Sequence, residues 1–232
     1  LGLFCGRRKP GDTDRDMNKL RTLSQEPDKP YFMLGHSMGS YLLRRYLSVY
    51  GGGLSGAVIM GTGANPDAVA KLGMAVCKAI AAFKGWKYRS PFMEKLFFSG
   101  DFQKFDMDGT HPENSWLTKD TEIVRFYYSE PRCTFKFTLK AYYDFLKTVY
   151  YVNRKENVEK IPKDLPILMV AGDCDPVGEF GKAVKRVYEM YKAAGINDVT
   201  LKLYENDRHE ILNETDKERV FDDIFNWCED RQ

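Results

Sequence analysis

Gly35-His36-Ser37-Met38-Gly39 is a G-x-S-x-G pentapeptide. It stands between a short apolar run, Tyr31 to Leu34, and an amphipathic segment from Ser40 with Leu42, Leu43, Tyr46, Leu47 and Tyr50 on one side. Strand, sharp turn and helix is the setting in which a serine hydroxyl is lifted clear of the backbone at a strand's end. The turn needs small residues on both sides, and Gly35 and Gly39 supply them. Ser37 is then placed as a nucleophile, with the backbone N–H of Met38 pointing to where an oxyanion would form. A chance Gly-Ser-Gly turn would share the letters but would not need the flanking strand and helix.

A serine hydroxyl is a weak nucleophile without a base beside it. The chain has three histidines. His36 fills a variable slot of the pentapeptide, where its side chain points away from that of Ser37, and reads as a packing residue. His111 lies in the polar loop Asp108-Gly109-Thr110-His111-Pro112 and is expected to be exposed. His209 follows the last strand, and in a triad ordered serine, acid, histidine it fits the third place. The acid should follow the penultimate strand, where Gly172-Asp173-Cys174-Asp175-Pro176-Val177-Gly178 offers two carboxylates. Asp175 stands far enough past the strand to turn toward the next loop, whereas Asp173 is expected to hydrogen-bond loop backbone. Asp-x-Asp with a later His-Glu could also suggest a metal, but no H-x-x-x-H or paired cysteines support that reading.

The elements that must position these groups alternate. Leu54–Met60 is a second buried strand, and strand, helix, strand at this spacing is a parallel βαβ unit. Residues 66–160 then lack a good buried strand. Asp67–Phe83 carries Val69, Leu72, Val76, Ile80 and Phe83 at helical spacing, and further helices are expected over Pro91–Phe98, Lys119–Ser129 and Thr138–Arg154. Residues 83–151 hold 19 of the 32 aromatics in under a third of the chain, which suggests an inserted helical lobe. Its aromatics either serve the lobe's own core or line an apolar pocket over Ser37. The sheet pattern resumes at Leu165–Ala171, followed by a helix over Val177–Ala194, a strand over Val199–Tyr204 and a last helix that a Thr215/Glu218 capping box should start.

Composition sets bounds. The 232 residues suit one domain with an inserted lobe, and a net charge of +2 from 35 basic and 33 acidic residues leaves no like-charge run that suggests nucleic acid. No apolar run approaches the roughly 20 residues that span a bilayer. Five widely spaced cysteines without C-x-x-C favour free thiols in a reducing compartment, so a cytoplasmic location is expected.

Three stretches together resemble a known family: Leu34-Gly35-His36-Ser37-Met38-Gly39-Ser40, Val170-Ala171-Gly172-Asp173-Cys174-Asp175-Pro176-Val177-Gly178 and Tyr204-Glu205-Asn206-Asp207-Arg208-His209-Glu210. The chain resembles the α/β-hydrolase superfamily, in the branch of monoacylglycerol lipases and bacterial lysophospholipases. Asn114-Ser115-Trp116-Leu117-Thr118 and Phe135-Lys136-Phe137-Thr138 are similar to the cap of bacterial members. The resemblance implies an α/β fold with a core of residues 1–65 and 161–232 and a helical cap over 66–160. It implies a triad of Ser37, His209 and Asp175, with Met38 N–H as oxyanion donor. In that family further strands precede the elbow, and a His-Gly loop there gives a second oxyanion donor. Residues 1–13 are too short to hold these, so the sequence is expected to correspond to the C-terminal two-thirds of the fold, with Tyr31–Leu34 at a sheet edge.

The expected activity is hydrolysis of carboxylic esters, monoacyl lipids above all, through an acyl-enzyme and with no cofactor or metal. The expected partner is a small acyl ester, not nucleic acid, with transient membrane contact through the cap. An aminopeptidase of the same fold is the nearest rival, and a non-catalytic remnant or binding module the rival from another class.

Overall fold

A computed structural model of the chain describes residues 12–26 and 28–232. Helix α1 (Asp12–Ser24) precedes strand β1 (Phe32–His36), helix α2 (Met38–Tyr50) and strand β2 (Gly56–Met60). Helices α3 (Asp67–Lys84), α4 (Pro91–Phe97), α5 (Thr121–Ser129), α6 (Leu139–Val152) and α7 (Lys155–Val158) follow, with short 3₁₀ turns at Gly100–Lys104 and Pro112–Asn114. Strand β3 (Ile167–Gly172), helix α8 (Lys182–Ala193), strand β4 (Val199–Tyr204) and helix α9 (Lys217–Glu229) complete the described chain.

Among the described residues four strands form one parallel sheet in the order β1-β2-β3-β4. Strands β2 and β3 are buried at every position, which is why they read as unbroken apolar runs rather than alternating ones. Their side chains divide between the two faces with period two. Ala57, Ile59, Ile167 and Met169 pack with Leu43, Tyr46 and Leu47 of α2 and Val184, Val187 and Tyr191 of α8. Val58, Met60, Leu168 and Val170 pack with Val220 and Trp227 of α9 on the other face. Strand β1 is paired on one side only among the described residues, and Leu34 in it is 48% exposed.

Helices α3, α4 and α6 build a further core of Cys77, Ala81, Met93, Leu139, Tyr142 and Leu146. Helix α3 forms where the apolar spacing predicts one. Of the apolar residues spaced along it, Val76 and Ile80 pack against this core while Val69, Leu72 and Phe83 are exposed, Phe83 at 89%, and the buried positions are Ala70, Gly73, Cys77 and Ala81. The reason is complementarity. Helix α6 presents Leu139, Tyr142 and Leu146, and only a face of small residues lets two helix axes approach across side chains of that size.

Helix starts follow local chemistry. Ser90, Asp120 and Thr138 cap α4, α5 and α6 by accepting from backbone N–H groups of the first turn. The Thr215/Glu218 box is not formed: α9 begins after Asp216, which makes no capping hydrogen bond. Helix α8 starts at Lys182 rather than Val177, because Glu179, Phe180 and Gly181 all have positive φ and cannot be helical.

Arg44 of α2 is buried at 1% exposure and spans the base of the helical segment. Its Nη1 donates to Thr62 Oγ1 and the Gly63 carbonyl at 3.1 and 2.8 Å. Its Nη2 donates to the Val152 carbonyl and Asn153 Oδ1 at 3.3 and 2.7 Å. One guanidinium thus holds both the stretch that leads into α3 and the stretch that leaves α6.

Candidate active site

Ser37 sits between β1 and α2 with φ 53° and ψ −123°, a region an L-residue occupies only when its surroundings force it there. Two constraints do so. The Ser37 N–H donates to the Met60 carbonyl at 3.0 Å, continuing the β1–β2 ladder, while the Ser37 carbonyl accepts from the N–H and hydroxyl of Ser40 as the helix begins. A Cβ on Gly35 would lie 2.5 Å from the Gly39 carbonyl oxygen, so this turn closes only over glycine at 35. A Cβ on Gly39 would meet nothing within 4 Å. The steric demand assigned to both glycines from sequence therefore falls on Gly35. Met38 is the first residue of α2, so its N–H has no partner within the helix and stays available to an anion.

Asp175 and His209 come from the loops after the adjacent strands β3 and β4, whose ends Gly172 and Tyr204 are in register. The two loops touch: Cys174 N–H donates to the Asp207 carbonyl at 2.9 Å, and a Cβ on Gly172 would lie 2.0 Å from that oxygen. His209 Nδ1 donates to Asp175 Oδ2 at 2.9 Å, and both side chains are buried. Asp175 Oδ1 accepts from Val177 N–H at 2.8 Å, which fixes the carboxylate plane. Asp173 accepts from Asn206 N–H with its own Oδ1, the backbone role expected of it. With Nδ1 committed as donor, His209 Nε2 is an acceptor; it is buried and makes no hydrogen bond. Burial pulls the His209 pKa down, but the charge and hydrogen bond of Asp175 outweigh it, and the net shift is above the usual 6.5.

Two further groups hold the His209 loop: a strip whose letters were matched in the sequence only to a cap, and Glu214, which sequence reasoning did not single out. The helical segment contributes a strip, Ser115–Lys119, that runs against the His209 loop: His209 N–H donates to the Trp116 carbonyl at 3.4 Å and Glu210 N–H to the Leu117 carbonyl at 2.7 Å. The Trp116 ring lies 5.1 Å from the His209 ring and packs with Phe102 and Phe98. Behind the strip stands Glu214, fully buried, accepting from Arg208 N–H, Lys119 N–H and Thr118 Oγ1 at 2.9 to 3.0 Å. Lys119 reaches the buried Asp207 at 2.7 Å, and the neighbouring carboxylates hold its ammonium pKa above the usual value despite partial burial. Polar letters in loops give no sequence signal for such a buried network.

His36 is not a remote packing residue: its ring is 4.7 Å from that of His209. His111 remains exposed beside Glu113, outside the group around His209. Ligand atoms of His36, His209 and Glu210 lie within 4.8 Å of one another, the spacing of a loose metal site. Both imidazoles are already engaged, His209 with Asp175 and His36 with the His209 carbonyl. Among the described residues no helix is long and apolar enough to cross a membrane.

The Hydrolase_4 family, described as serine aminopeptidase S33, matches residues 11–216. A monoacylglycerol lipase of Mycolicibacterium smegmatis is 26% identical over 225 residues, covering 93% of this chain and 70% of that protein. The structure of a thermostable carboxyl esterase from Bacillus coagulans, in complex with glycerol, superposes with a TM-score of 0.86 at 29% identity over 97% of this chain and 73% of that one. A soluble variant of monoglyceride lipase from Saccharomyces cerevisiae shares the fold at a TM-score of 0.71 and 21% identity, over 96% of this chain and 69% of that one.

Proposed function

The chain belongs to the Hydrolase_4 family of α/β-hydrolases, and from that membership we propose that it is a serine hydrolase of carboxylic esters whose preferred substrates are monoacyl lipids. The observation that carries this reading is the buried Asp175–His209 pair, with a free Nε2 acceptor on the loop beside the strained serine elbow. In the proposed cycle Ser37 Oγ attacks the ester carbonyl while His209 Nε2 takes its proton. Asp175 keeps Nδ1 protonated and stabilises the imidazolium. The Met38 N–H donates to the oxyanion. The imidazolium then protonates the leaving alcohol, and water activated by the same Nε2 hydrolyses the acyl-enzyme. Hydroxyl and imidazole chemistry closes this cycle without a cofactor.

In this reading residues 66–160 are a cap and residues 161–232 with the first 65 are the core. Phe97, Phe145 and Tyr41 cluster with Met38, next to the proposed oxyanion donor, which supports an apolar acyl site on that side. The name carried by the family keeps an aminopeptidase reading in play. Such an enzyme must hold a free ammonium beside the scissile bond, whereas the buried carboxylates Asp175, Asp207 and Glu214 around His209 are all paired internally. Chain-length profiling separates the two. Monoacyl esters of increasing length should rise steeply in kcat/KM over acetyl esters, since each buried methylene is worth about 0.8 kcal/mol of transfer free energy. A flat profile, or a preference for aminoacyl amides, would select the peptidase. No turnover of either kind and no labelling by a fluorophosphonate would select a non-catalytic binding module.

A further inference from the structure

His36 ends β1 and is covalently joined to Ser37, and its Nε2 lies 3.1 Å from the main-chain carbonyl oxygen of His209. A carbonyl only accepts, so His36 Nε2 carries the proton and donates it. Nδ1 lies 4.0 Å from Glu210 Oε1, beyond hydrogen-bond reach, so no second polar contact competes with the first. Burial and the neighbouring His209 both push the His36 pKa below 6.5, in keeping with the neutral form. Gly61 opposite makes the arrangement possible: it has φ 58°, and a Cβ there would come within 3.1 Å of His209 Cε1 and 3.3 Å of His36 Cδ2. A side chain there would press on both rings and would sit in a backbone conformation that L-residues rarely adopt.

We infer that His36 is a positioning residue, a strut that fixes the backbone of the proposed base His209 to the strand end that carries the proposed nucleophile Ser37. Asp175 sets the rotation of the His209 ring through Nδ1, and the Ser115–Lys119 strip holds the loop from the far side through the His209 and Glu210 N–H groups. Neither of those contacts is attached to the serine. The His36 hydrogen bond is attached to it, one peptide away, so it sets the separation between Oγ and Nε2. That separation is what proton transfer depends on, and a misplacement of about 1 Å can cost on the order of 10²-fold in rate.

The role in turnover rests on the proposed serine-hydrolase chemistry; the strut itself does not, and the test reads them apart. Three variants of the full chain are compared. His36→Phe keeps a ring against His209 and loses the donor. His36→Gln replaces the donor at the same reach without an imidazole. His36→Ala loses both. The first readout is amide hydrogen exchange over residues 205–213, which needs no activity. His36→Phe and His36→Ala should exchange there roughly fivefold to tenfold faster than the parent, the ratio one net hydrogen bond supports, with His36→Gln near the parent and exchange in β2 and β3 unchanged in all three. The second readout is steady-state kinetics with a monoacyl ester. In His36→Phe kcat should fall on the order of 10²-fold with KM within about twofold, and in His36→Gln most of kcat should return. Unchanged loop exchange in His36→Phe, or His36→Gln behaving like His36→Phe in exchange, overturns the strut. Faster exchange in His36→Phe with kcat intact overturns its part in turnover. Absence of labelling in the parent chain overturns the hydrolase reading and leaves the exchange result to stand on its own.

Discussion

His209 Nδ1 and Asp175 Oδ2 are 2.9 Å apart, in side chains that are 1% and 0% exposed. A neutral imidazole in that environment has one tautomer open to it, so Asp175→Asn should cost about 10³-fold or more in kcat, because an amide can turn its NH₂ toward Nδ1 and reverse the tautomer. Asp173→Asn should leave activity within a few-fold, since its Oδ1 serves the Asn206 backbone rather than His209. Ser37→Ala should abolish both turnover and labelling by a fluorophosphonate. Parallel kinetics on the three variants check the ranking, and the reverse order for the two aspartates would move the acid to Asp173.

The pH dependence has a definite sign. The base must be neutral to accept the serine proton, and the folded His209 pKa lies above 6.5 because Asp175 outweighs burial. The acid limb of kcat/KM should therefore have its midpoint above 6.5, and in Asp175→Asn the residual activity should have its midpoint shifted to lower pH. Stability runs the other way. A histidine whose pKa is raised on folding contributes stability that is full below the unfolded value near 6.5 and fades as pH rises through the folded value. Denaturant midpoints measured between pH 5.5 and 9 should show that component in the parent chain and a smaller one in Asp175→Asn.

The two elbow glycines should respond differently. Gly35→Ala forces a Cβ to 2.5 Å from a backbone oxygen and should cost at least about 3 kcal/mol, with loss of labelling. Gly39→Ala places its methyl in open space in the first turn of α2 and should stay within about 1 kcal/mol of the parent. Thermal unfolding of both variants checks this, and equal damage would mean that the turn has a second constraint.

Glu214→Gln should destabilise by about 1–3 kcal/mol, because the new NH₂ group faces donors and one of Arg208 N–H, Lys119 N–H or Thr118 Oγ1 is left buried without an acceptor. Thr118→Val removes one of these three donors but leaves the Asp120 N–H without Thr118 Oγ1 as its acceptor, so it should also cost about 1–3 kcal/mol. If kcat falls in both variants under conditions where they are fully folded, the strip from the helical segment is holding His209 in place.

What was legible in the sequence follows from what local pattern encodes. β2 and β3 were readable because full burial writes an unbroken apolar run, and the strand-end positions of Ser37, Asp175 and His209 because the loops that hold them follow the chain order of the strands. Helix α3 was legible but not its buried face, since periodicity finds an apolar stripe but not the size of the partner's side chains, and α3 buries Ala70, Gly73, Cys77 and Ala81 while Phe83 is exposed. Glu214 and Asp207 were invisible, since a carboxylate in a loop reads as solvated until three-dimensional neighbours supply its donors. His36 was assigned to packing because its slot in the elbow fixes the direction of its Cβ, not what the loop from β4 brings to it.

Arg44 leaves one consequence for how such chains diversify. With Gly63 and Val152 hung on a single guanidinium, the two ends of the intervening segment are held by the two arms of one side chain. Replacing what lies between them does not require β2 and β3 to change their spacing or register. A segment of different length or shape could be exchanged there as a cassette, so long as it returns two carbonyl oxygens to the same fork. The sheet and the loops at its strand ends could then stay as they are while the segment between Gly63 and Val152 is traded, with this arginine as the joint.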